Sequence, residues 1–96
     1  MQVVINYSGT FSISSEAVEF IRKKIKNKED KKQINPYSFD HDRSNYLLIE
    51  AVKKLKKKAN GIDADLRIVE IPDDVQWHIA EYDGYEHVAE DHRTWP

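Results

Sequence analysis

Between Val3 and Ile13 the odd positions read Val3, Ile5, Tyr7, Gly9, Phe11 and Ile13, while the even positions, Val4 excepted, are Asn6, Ser8, Thr10 and Ser12. Side chains of a strand alternate between its faces, so this pattern predicts a strand with one buried face. Gly9 interrupts the apolar row and marks a bulge or a turn. Ser14 and Ser15 then supply caps for a helix with Glu16 and Glu19 near its start and Ala17, Val18, Ile21 and Ile25 as its apolar stripe. Side-chain oxygens satisfy the free N–H groups of a first turn, and carboxylates suit the positive end of the helix dipole. A second helix is expected from about Ser44 to Ala59, with Leu48, Val52, Leu55 and Ala59 on one face. Five lysines between Lys53 and Lys58 suit its negative end, and Asn60-Gly61 stops it.

Asp65–Ile71 and Val75–Tyr82 follow as strands around a Pro72-Asp73-Asp74 turn, and Asp83-Gly84 signals a two-residue type I′ hairpin into Tyr85–Glu90. That turn sets the register: cross-strand partners have numbers summing to 167. Glu81 then faces Glu86, Ile79 faces Val88 and Trp77 faces Glu90, while Tyr82, Ala80 and His78 face Tyr85, His87 and Ala89. The order strand, helix, helix, strand, strand, strand predicts an α+β fold, an antiparallel sheet of about four strands with two helices on one face.

A length of 96 residues allows one domain, 1–96, with a polar, partly mobile loop at 27–43 broken by Pro36. A core this small is helped by burying surface between copies, so a homo-oligomer is expected. Without cysteines there is no disulfide framework and no thiolate metal site. The first residues show no basic segment followed by a long apolar run, which suggests a soluble cytoplasmic protein with no membrane partner.

The net charge of −2 conceals a segregation. Of 15 Lys and Arg residues, 13 lie between Arg22 and Lys58, whereas Asp63–Asp91 holds 10 of the 17 acidic residues against the single Arg67. Three explanations compete: a basic surface for phosphates, complementary surfaces between copies, and two solvated faces, the last being the plainest.

Several constellations carry chemistry. The Glu81–Glu86 pair is unfavourable unless Arg93, Arg67, lysines of another copy or a metal neutralise it, or solvent relaxes it at the hairpin tip. His78 and His87 stand diagonally on one face, yet a metal wants a third ligand, and two surface histidines are the simpler explanation. His92-Arg93-Thr94-Trp95 combines a forked donor with stacking aromatics and suits a nucleotide, against the alternative that Trp95 is an anchor and Arg93 pairs with a carboxylate. Asp40-His41-Asp42-Arg43 reaches a ligand or, more simply, caps the second helix through Asp42 or Ser44. There is no glycine-rich phosphate loop, Gly-x-Ser-x-Gly, HExxH or dinucleotide fingerprint, so neither an enzyme nor a cofactor is predicted.

The segment Ile68–Trp95, in the pattern IVEIPDDVxWxIxEYDGxExVxExHRxW, resembles a group of small proteins encoded by bacteriophages and prophages, and Arg43–Gly61 also looks similar. The resemblance brings no enzymatic activity and no functional residues. It implies the host-cell cytoplasm and a host-interaction or counter-defence role. By analogy of role, one such class is the phage sponges that oligomerise and sequester cyclic or ADP-ribose-type signalling nucleotides. The expected function is therefore non-catalytic capture of a small anionic nucleotide, with Arg93, His92, Trp95, Arg43 and Tyr7 as contacts and no metal. The alternatives are an inhibitor of a host enzyme acting through the acidic hairpin Asp73–Asp91, and a metal-dependent enzyme using Glu81, Glu86, His78 and His87. Nucleic acid is not an expected partner.

Overall fold

The chain turns sharply after its fifth strand residue. In the computed structural model, which describes residues 1–91, the first strand, β1, is Gln2–Asn6 and not the whole of Val3–Ile13. The buried side chain of Asn6 ends it: Asn6 Oδ1 accepts from the N–H groups of Ser8 and Asp65, and its Nδ2 donates to the Gly9 carbonyl. Gly9 holds φ +59°, and a Cβ there would lie 2.7 Å from the Asp63 carbonyl oxygen. Only glycine tolerates both conditions without strain. The turn splits the alternating apolar row: Val3 and Ile5 enter one core cluster, while Phe11 and Ile13 join Val4 in another.

Helix α1 is Ser15–Lys24, with Ser14 Oγ accepting from the Ala17 N–H at 3.1 Å and Ala17, Val18 and Ile21 buried. Within the segment expected to be loop, Asn27 caps a short helix, α2 (Lys28–Gln33), and Phe39 is buried in the main core. Helix α3 is Tyr46–Leu55. Its cap is Asn45, whose Oδ1 accepts from the Leu47 N–H at 2.9 Å, rather than Asp42 or Ser44. Lys56 takes φ +54° and breaks the helix, so the remaining expected turns form a 3-10 segment, Lys56–Ala59.

Strand β2 is Leu66–Glu70, antiparallel to β1 with Val3 opposite Val69 and Ile5 opposite Arg67. Strands β3 (Trp77–Tyr82) and β4 (Tyr85–Glu90) form a hairpin in the expected register, from Trp77 opposite Glu90 to Tyr82 opposite Tyr85. Asp83 and Gly84 have φ of 55° and 84°, as a type I′ turn requires. The fold is α+β, with two separate two-stranded antiparallel sheets in place of one four-stranded sheet. The reason lies at the free edge of β1. Two of its outward N–H groups are already satisfied, that of Val4 by the Arg43 carbonyl and that of Asn6 by the Glu86 carboxylate, so a loop and a side chain stand where a third strand's backbone would.

The two faces of β1–β2 are both covered. Val4, Leu66 and Ile68 join Ala17, Val18 and Ile21 of α1 and Leu48, Ile49, Ala51 and Val52 of α3. Val3, Ile5 and Ile71 join the half-buried Val69, Trp77, Ile79 and Val88, so the hairpin lies across the opposite face.

Candidate functional site

Arg43 leaves the turn that leads into α3 and points inward, its side chain only 4% exposed. All five of its N–H donors are engaged. Nε donates to the Asp40 carbonyl, Nη1 to the Val4 carbonyl and to Glu86 Oε1, and Nη2 to Asp40 Oδ1 and Glu86 Oε2. The guanidinium lies 3.9 Å over the Phe11 ring. Burial opposes its charge, but hydrogen bonds to Glu86 and Asp40 and the charges of both carboxylates outweigh that, so its pKa stands above the ordinary value. Arg43 is thus a clamp between the loop, β1 and the hairpin, with no donor left for a phosphate.

The same contact answers the like-charge problem posed by the hairpin register. Glu81 stays exposed, while Glu86 turns inward, its carboxylate bound to Arg43 and to the Asn6 N–H. The neutralising cation is Arg43, not Arg67. The register signalled that Glu86 needed a counter-charge, but the residue supplying it lies 43 positions away, where no local pattern points.

Tyr7, the other expected ligand contact within the described residues, sits at the end of β1 and is 38% exposed. Its ring meets that of Tyr85 edge to face, with centroids 6.2 Å apart, and the Arg67 guanidinium lies 5.2 Å over it. Arg67 in turn holds both oxygens of Asp65 at 3.0 Å. Those hydrogen bonds hold the Asp65 carboxyl below its usual range and the Arg67 guanidinium above its own. Tyr7 and Arg43 therefore meet β4 at adjacent residues, Tyr85 and Glu86, and Arg43 spends its donors there on the Glu86 carboxylate.

The remaining hairpin carboxylates face solvent. A shallow concavity of about 270 Å³ is lined by Asp74, Val75, Gln76, Glu90 and Asp91. Another, of about 260 Å³, is lined by Asp40, His41, Arg43, Trp77 and Ile79. His78 Nδ1 is hydrogen-bonded to Asp91, whereas His87 is exposed across the hairpin. Among the described residues no group of three or more histidines and carboxylates is arranged to hold a metal, and no helix is long and apolar enough to cross a membrane.

His92, Arg93 and Trp95 lie outside the described residues. No family model matches the chain, and no similar curated protein or solved structure was found.

Proposed function

We propose that the protein is a non-catalytic binding protein whose acidic β3–β4 hairpin engages a basic surface on a partner protein, in a phage setting an enzyme of the host. One observation carries this reading. Residues 73–91 contain seven carboxylates and no lysine or arginine, and six of the seven, Asp73, Asp74, Glu81, Asp83, Glu90 and Asp91, are exposed. Among the described residues, three of the seven are engaged within the chain, Glu86 by Arg43 and, at the surface, Asp73 by the Met1 ammonium and Asp91 by His78; Asp74, Glu81, Asp83 and Glu90 remain open. A surface of one sign steers an oppositely charged partner and rejects phosphates, and a protein that normally grips nucleic acid presents the complementary charge. The nucleotide-capture reading is weaker on the described residues because Arg43 is fully engaged and the Tyr7 ring is already covered by Arg67, whose own donors are held by Asp65.

Immobilised protein is expected to retain from bacterial lysate a basic protein that duplex DNA displaces. The combined variant Asp74→Lys, Glu81→Lys and Glu90→Lys, which leaves the Asp83-Gly84 turn intact, is expected to lose that retention while melting like the wild type, since exposed substitutions usually change stability by about 0.5 kcal/mol or less. Retention that survives all three reversals would overturn the reading. Recovery of unmodified nucleotide by heat denaturation, after incubation with a panel of signalling nucleotides, would replace it with the capture reading.

A further inference from the structure

We infer that the tip of the hairpin is the anchor of this interface: an aromatic patch of Tyr7, Tyr82 and Tyr85 that receives a lysine or arginine side chain of the partner protein. The inference rests on the hairpin being the binding face. Tyr82 is 77% exposed and Tyr85 60%, and they form the cross-strand pair that closes the turn. Tyr7 extends the patch through its edge-to-face contact with Tyr85. Aromatic residues grouped on a surface are the side chains that most often dominate binding energy when an interface forms.

The charges around the patch select its occupant. Asp83 lies in the turn between Tyr82 and Tyr85, and the Gly9 turn approaches Gly84, so the one charged side chain within the turn that joins the two rings is a carboxylate. Ring faces carry the negative lobe of the aromatic quadrupole, so rings flanking the Asp83 carboxylate on an acidic hairpin favour a cation. Arg67 already shows the arrangement within the chain, with its guanidinium over Tyr7 and its donors on Asp65. A nucleobase would also stack on these rings, but its phosphates would meet the carboxylates. Glu86, next to Tyr85, is held by Arg43, which fixes the backbone that presents the rings.

The test titrates the full chain with an Arg-Gly repeat peptide at low ionic strength while following tyrosine ring signals by NMR. Tyr82→Leu and Tyr85→Leu keep apolar bulk and remove the ring. Each is expected to weaken binding about two- to fivefold, the size of an exposed cation–π contact, while Tyr85→Phe binds like the wild type. The charge-reversed hairpin is expected to lose binding. If the leucine variants bind like the wild type while the charge reversal abolishes binding, the aromatic anchor is overturned and the acidic-hairpin reading stands. If the charge reversal also binds unchanged, both fall.

Discussion

The helix side of β1–β2 is closed by thirteen buried apolar residues drawn from strands, helices and the Phe39 loop, whereas the hairpin side has three, Val3, Ile5 and Ile71, covered by half-buried neighbours. The first side is a conventional core held by apolar burial. The second has too little apolar area to hold a two-stranded hairpin by itself, since an isolated hairpin is marginal in water. The Arg43–Glu86 pair and the Asn6–Glu86 hydrogen bond make up part of the difference. Stability thus resides mainly with the helices, and the hairpin is placed with precision but attached by few contacts, as a presented binding element is.

The largest expected effect breaks the helix side. Leu48→Ala removes a fully buried side chain from the main core and is expected to cost about 3–5 kcal/mol, lowering the denaturant midpoint of the whole chain. A loss under about 1 kcal/mol would show that the helix side is not where the stability resides.

Arg43→Met tests the hairpin side. It leaves Glu86 and Asp40 without their cation, and removing one partner of a buried pair costs about 3–5 kcal/mol. The lower end is expected here because the Glu86 side chain is 15% exposed. The distinguishing readout is hydrogen exchange: β3 and β4 amides should lose more protection than those of α1 and α3. Equal loss everywhere would mean that the hairpin and the helices unfold as one unit.

Gly84→Ala is a smaller perturbation of the same region. With φ at 84° the position suits glycine, so alanine is expected to cost about 1–2 kcal/mol, read as fraying of the Tyr82–Tyr85 pair. The smallest effect is that of Asp65. Hydrogen bonds from Arg67 depress its carboxyl in the folded state, so its contribution is complete above the ordinary carboxyl pKa of about 3.9 and is lost as pH falls through the folded value. Both groups are largely solvent-screened, so the change in stability is slight. An NMR titration should place Asp65 below the ordinary range, and Arg67→Ala should return it there.

Features governed by neighbours in the chain were legible in the sequence. The hairpin register follows from the backbone twist that Asp83-Gly84 imposes, and Ser14 with the Ala17, Val18 and Ile21 stripe starts α1 where expected. The sheet was not legible in the same way. Alternation along Val3–Ile13 cannot show that Asn6 turns the chain over, because the groups that bind its side chain include the N–H of Asp65. Nor can it show which groups will occupy the β1 edge.

The sequence by itself determined α1, the body of α3, the hairpin and its one-signed surface, though not α2, since periodicity, caps and turn residues act within a few positions of one another. Only the tertiary structure decided that the strands form two sheets and that Arg43 is a clamp. Those outcomes depend on which donors and acceptors distant in the chain are brought together in the folded molecule, and Arg43 and Glu86 meet only where the loop, β1 and the hairpin converge.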